Sequence, residues 1–337
     1  AALEPRLKEA GIEADLQGYP ARAESELAAL MPRADAAPAA ERRIVYVLYG
    51  QAMALTGKVA EAEDVAGRLD GATPRTRDPA DRAAALVVRA AIESSFGEAS
   101  KSLAHAQLAR DLVAGSGDPH LHYWAAMALG IAARTRGRPE DAMANLHDAL
   151  SLAEAADNPF RRSSALYQLS VLQRELRNAP EALAASLAAY RFAEAAKCAY
   201  AMVNARMAES AVMELLDRPA RELAAMQEAL AIARSSRSTT AEAKALINLA
   251  DIRLRRKEFS EAVALSRRAS SLAQSLGDSG LAATSKANLG FALLGLGRAA
   301  EGKRYADEAM AEYERTGAIT EIAELAGEYG RSLEQHG

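Results

Sequence analysis

Apolar residues along this chain recur at three- and four-residue spacing, in segments of helical length separated by short polar turns. The segment Asn288-Leu289-Gly290-Phe291-Ala292-Leu293-Leu294 runs into a turn at Gly297, and Lys303 to Met310 carries a second apolar stripe. Steps of 40 residues back from Gly297 land on Lys257, Asp217, Arg177, Gly137, Gly97 and Gly57, and one step forward lands on Gly337. Each of these turns separates two Ala-rich helical segments. The pattern is an internal repeat and predicts an array of helix pairs.

With the turn residue numbered 15, the repeats run 43–82, 83–122, 123–162, 163–202, 203–242, 243–282 and 283–322. One at about 4–42 precedes them and a half repeat, 323–337, follows. Position 8 holds Gly50, Ala90, Gly130, Ser170, Ser210, Ala250 and Gly290, with Gly330 in the half repeat. Position 20 holds Ala62, Ser102, Ala142, Ala182, Ala262 and Gly302, with Glu222 the one large residue. Position 27 is alanine from Ala109 through Ala309. Small residues at fixed points on both helices let two backbones cross closely, while Tyr49, Leu129, Leu169, Leu249 and Leu289 at position 7 fill the space beside them. Charges break the pattern at Arg89 and Arg110, and again at Arg206, Glu209 and Glu222. Unpaired burial of a charge is costly, so these side chains are expected to pair, to snorkel or to mark a shifted helix. Arg206 and Glu209 are spaced to pair on one helix face.

Leucine–glycine at positions 7–8 with alanine at 20 and 27 resembles the tetratricopeptide repeat. The 40-residue spacing, with Leu276-Gly277-Asp278 closing a repeat, resembles the longer variety found in Rap-type regulators, MalT-like activators and kinesin light chain. The resemblance covers essentially the whole chain. It implies an all-α fold, a right-handed α-solenoid of about eight helix pairs plus a terminal helix, as one domain over 1–337. The RNA-reading pentatricopeptide repeat has a shorter period and fits less well. A chain that ends mid-repeat at Gly337 is expected to be a piece of a longer protein or to be capped by a neighbour.

Composition narrows the chemistry. Half of the residues are hydrophobic but only 5% are aromatic, which suits close helix packing. A net charge of -4 provides no general attraction to nucleic acid or to an anionic membrane. No apolar run approaches the roughly 18 residues that span a bilayer. The single cysteine, Cys198, excludes an internal disulfide framework and a cysteine-based metal cluster. His120-Leu121-His122 lies at an inter-repeat turn without an acidic or cysteine partner at ligand spacing. Gly290, Gly295 and Gly297 belong to the repeat and follow no strand, so they do not form a phosphate-cradling loop. No catalytic constellation emerges, and neither cofactor nor metal is expected.

In arrays of this kind the first helices line the concave face. Positions 2, 5, 6, 9, 12 and 13 share one side of such a helix. They supply the candidate peptide-binding residues Trp124, Arg134, Tyr167, Gln168, Arg174, Asn204, Lys244, Asn248, Asp251, Arg255, Asn288 and Phe291, with Met127 and Ile131 beside them. A side-chain amide both donates and accepts, so it can pair with an extended backbone of any sequence. The resemblance implies that use for Asn248 and Asn288. The bland alternative is a polar groove floor that only keeps the array soluble. Trp124 suits either helix packing or an exposed anchor.

The resulting expectation is a non-catalytic binding module whose groove takes an extended protein or peptide segment. It would be the sensory or scaffolding part of a cytoplasmic bacterial regulator, upstream of an output domain such as a diguanylate cyclase, kinase or DNA-binding domain. The second reading is an assembly scaffold that forms homo-oligomers through its C-terminal end. Neither nucleic acid nor membrane is an expected partner.

Overall fold

The computed structural model describes residues 13, 20–71, 78–95, 98–316 and 326–327. Gly97, Gly330 and Gly337, the start of the first repeat and nearly all of 323–337 lie outside the described residues. Those described form fifteen helices and no strand. These are α1 (Pro20–Ala34), α2 (Ala39–Leu55), α3 (Val59–Asp70), α4 (Pro79–Ser95), α5 (Ala99–Val113), α6 (Pro119–Thr135), α7 (Pro139–Ala155) and α8 (Pro159–Glu175). They continue as α9 (Ala179–Ala195), α10 (Ala199–Leu215), α11 (Pro219–Ser235), α12 (Thr239–Arg255), α13 (Phe259–Leu276), α14 (Ser279–Gly295) and α15 (Ala299–Thr316). The helices form two compact units, one up to Ala208 and one from Glu209.

Within each unit, consecutive helices pack in pairs, and first helices also touch first helices, α2 on α4, α4 on α6 and α12 on α14. This is the helix-pair stacking of an all-α solenoid.

The predicted turns are left-handed. Backbone φ is positive at Gly57, Gly137, Arg177, Asp217, Lys257 and Gly297, all at position 15. It is positive again at Asp157, Lys197, Arg237 and Gly277, twenty residues later in the repeat. At these turns the chain closes the preceding helix with a six-residue backbone bond, such as Asn178 N–H to Gln173 O at 2.9 Å or Glu258 N–H to Arg253 O at 2.9 Å.

Starts are equally regular. Asp118 accepts from the N–H groups of His120 and Leu121, Asn158 from Arg161, Ser238 from Ala241, and Asp278 from Leu281. The first helices therefore begin four residues before the repeat origin read from sequence, and run 17 residues. The frame set by the turns missed the turn of helix that each cap adds.

Four of the five out-of-pattern charges have structural partners. Arg89 pairs with Glu63 at 3.3 Å and Asp70 at 3.1 Å, and Arg110 pairs with Asp148. Arg206 lies over the Tyr190 ring at 3.8 Å. Glu222, 5% exposed, is bound by Arg255 at 2.5 Å.

Candidate functional site

The first helices α6, α8 and α10 bring three of the candidate residues together. Tyr167 and Gln168 of α8 and Asn204 of α10 line one cavity of about 50 Å³. Met127 and Ile131 of α6 close one side, and Phe160, Ser163, Ser164, Tyr200 and Ala201 complete the wall. Ser164 stands at groove position 2 of its repeat, whereas the positions read from the sequence missed the other four. Phe160, Tyr200 and Ala201 sit in the first turns of α8 and α10, ahead of the repeat origin. The mix is apolar walls with an amide pair and hydroxyls, which suits an extended chain with small or apolar side chains.

Trp124 is not an exposed anchor. It is 5% exposed, and its indole N–H donates to Glu13 Oε1 at 3.0 Å. The same carboxylate accepts from Arg161 Nε, at 2.9 and 3.1 Å to its two oxygens. Arg161 is itself buried, with its guanidinium over the Tyr123 ring at 4.7 Å and the Trp124 ring at 5.2 Å. Burial, with Glu13 nearby, pushes the Tyr123 phenol far above its ordinary value. Glu13 and Arg161 were invisible to a groove defined by repeat positions, because one is far along the chain and the other precedes the repeat origin.

Arg134 at the end of α6 donates to Glu175 at 2.6 Å, and Arg174 is half-buried in the last turn of α8. In the second unit, Lys244, Asn248, Asp251 and Arg255 share one side of α12. Asn248 Nδ2 donates to Lys244 O at 2.9 Å. Arg255 is held by Glu222, by Asp251 at 3.1 Å and by Glu214 at 3.2 Å. Burial works against its charge, but the Glu222 hydrogen bond and the three carboxylates outweigh it and hold the guanidinium above its ordinary value. The sequence places Arg255 in the groove as a ligand contact; in the structure it is the counter-ion of a buried glutamate.

Asn288 Nδ2 donates to Ile247 O at 3.1 Å, tying α14 to α12. One of its hydrogen-bonding positions is therefore spent within the array. Phe291 packs half-buried against Ala283, Ala287, Ala309 and Tyr313 instead of standing in an open groove. Among the described residues no cluster of His, Cys, Asp and Glu is arranged to hold a metal ion, and no helix is long and apolar enough to cross a membrane. A more open hollow of about 380 Å³ lies between α2 and α3, lined by Tyr49, Met53, Glu61, Asp64 and Arg68, away from the candidate positions.

No protein-family model and no curated protein matches the sequence. Solved structures do match. A Rap protein complexed with competence and sporulation factor shares 11% identity at a TM-score of 0.64, over 99% of both chains. NprR in complex with its cognate peptide NprX shares 12% at 0.55, over 86% of this chain and 87% of that one. A signal transduction ATPase with a tetratricopeptide repeat sensor, from Pyrococcus horikoshii, shares 14% at 0.53, over 94% of this chain and 52% of that one. These likenesses show the fold, an all-α solenoid of the tetratricopeptide-like kind.

Proposed function

We propose that this chain is a peptide-binding regulatory module, and that the Tyr167–Gln168–Asn204 cavity receives part of an extended segment. The observation that carries the reading is the convergence of those three side chains, from two successive first helices, on one apolar-walled cavity. One solved structure with a similar fold is a complex with its cognate peptide, and another is a complex with competence and sporulation factor, which supports it. On this reading the chain works in the cytoplasm as the sensory part of a bacterial regulator and passes its occupancy to an output domain.

The test is a peptide selected from a random library on the full chain, with its affinity then measured for Gln168→Ala and Asn204→Ala. Each amide bond is worth about 0.5–1.5 kcal/mol, so the double variant should bind about tenfold more weakly with unchanged helix content. Unchanged affinity rejects the cavity as the binding site. Asn288→Ala is a poor substitute, because it also removes the bond to Ile247 O.

A further inference from the structure

We propose that Arg161 and Trp124 form a carboxylate-binding site in which Glu13 is the intramolecular occupant. The exchangeable ligand is an acidic side chain or the chain-terminal carboxylate of a peptide. The inference deepens the peptide-binding reading and rests on it for the nature of the ligand.

The site is built almost entirely by the array. Arg161 Nε reaches both carboxylate oxygens, and the Trp124 indole N–H supplies a further donor to one of them. One guanidinium N–H shared between the two oxygens, with the indole N–H on one of them, is a charge-assisted arrangement that suits a carboxylate. All of these donors come from α6 and α8, while the carboxylate comes from 111 and 148 residues away in sequence. Only the anion is borrowed.

The surroundings select for an anion. Arg161 is 3% exposed and lies against the Tyr123 and Trp124 rings. Its Nη2 lies 2.8 Å from His120 Nδ1, a contact that brings no negative charge. Among these contacts Glu13 is the only negative charge. Removing it without replacement leaves a buried cation unpaired, a state that draws in another carboxylate.

The site also adjoins the amide cavity. Phe160, beside Arg161 in the chain, and Ser164, one turn further along α8, both line that cavity, and Met127 follows Trp124 by one turn. At about 50 Å³ the cavity holds little more than a water or two. A peptide carboxylate that displaces Glu13 therefore enters at the point from which the groove must open.

Trp124 is the sole tryptophan, so its fluorescence reports the site in the full chain. Wild type, Glu13→Gln and Glu13→Gln with Arg161→Gln are titrated with three probes. N-acetylglutamic acid α-amide represents an acidic side chain, N-acetylglycine a chain terminus, and N-acetylglutamine α-amide is the neutral control. A tethered occupant competes at a high effective concentration, so Glu13→Gln should bind at least one carboxylate probe about tenfold or more tightly than wild type. It should ignore the neutral probe, and the added Arg161→Gln should abolish the response. Equal affinity in wild type and Glu13→Gln, a response to the neutral probe, or no response at all overturns the proposal. If Glu13→Gln does not fold, the single indole N–H resonance of the wild type decides. Saturating carboxylate probe must move it and the neutral probe must not; an unmoved resonance overturns the proposal. Failure here leaves the separate Asn204 test of the cavity standing.

Discussion

Gly290 of α14 and Gly302 of α15 meet backbone to backbone. A methyl group on Gly302 would lie 2.8 Å from the carbonyl oxygen of Gly290, and one on Gly290 would lie 3.0 Å from that of Gly302. The same two positions meet in other repeats with a hydroxyl in place of a bare backbone. Ser170 Oγ donates to Ala182 O at 2.8 Å, Ser210 Oγ to Glu222 O at 3.0 Å and Ser102 Oγ to Ala90 O at 3.0 Å. Gly302→Ala should therefore destabilise. Its clash costs about 1–3 kcal/mol, which exceeds the roughly 1 kcal/mol that alanine gains as a helix former. Urea unfolding measures the balance, and a more stable variant would mean the crossing tolerates a wider helix spacing.

The left-handed turns give a second, oppositely signed pair. Arg177 holds φ at 63°, a conformation that costs a residue with a Cβ about 1–2 kcal/mol. Glycine avoids that strain but loses more chain entropy on folding, so Arg177→Gly should stabilise by up to about 1 kcal/mol. Gly137, at φ 68°, has nothing within 4 Å of an added Cβ. Gly137→Ala should accordingly destabilise by about 1 kcal/mol through backbone strain alone. Thermal midpoints of the two variants should move in opposite directions.

Cys198 occupies the residue before α10, the place held by Asp118, Asn158, Ser238 and Asp278 before other first helices. Each of those side chains accepts backbone N–H bonds from the first turn, and a thiol sulfur is a weak acceptor. Cys198→Asp should stabilise by about 0.5–1 kcal/mol, with denaturant midpoint as the measure. The residue is 7% exposed, so a loss of stability would show that its surroundings reject a carboxylate.

The periodicity of the chain was enough to read the fold, because each repeat restates the same steric demand. Every described residue at turn position 15 has the left-handed φ, glycine or not, and positions 8 and 20 do form the close crossing. The site was half legible. Tyr167, Gln168 and Asn204 follow from helical phase, which depends only on spacing along one helix. Phase left Trp124 open between packing and exposure and set Phe291 and Arg255 in the groove, because it does not say what a neighbouring element lays over a face. Glu13 covers Trp124, the Ala309 and Tyr313 cluster takes Phe291, and Glu222 claims Arg255.

Tyr46 carries a pH signature. Burial, reinforced by its hydrogen bond to Asp35, pushes the phenol from 10.0 up to about 12. The raised value means that the folded state favours the protonated form. The stability Tyr46 contributes is fully present below pH 10, the unfolded value, and is lost as pH rises through about 12. Tyr46→Phe should flatten this alkaline decline without changing its onset elsewhere. Denaturant midpoints of both proteins across that range provide the check, and parallel curves would reject the assignment.

The Glu222–Arg255 pair separates structure from recognition in the second unit. Position 20 is small in every other repeat, and Glu222 there is 5% exposed with Arg255 at 2.5 Å as its counter-ion. Arg255→Gln leaves that carboxylate buried beside an uncharged partner, at a cost of about 1–3 kcal/mol. Glu222→Ala restores the residue type found in the neighbouring repeats, so the double variant should recover most of the loss. Residues in direct contact couple, and the cycle should return a non-additive term above about 0.5 kcal/mol. Additive losses would free Arg255 from its structural role and return it to the candidate ligand contacts. Recovery in the double variant fixes it as the counter-ion that lets a glutamate stand where the repeat otherwise holds alanine.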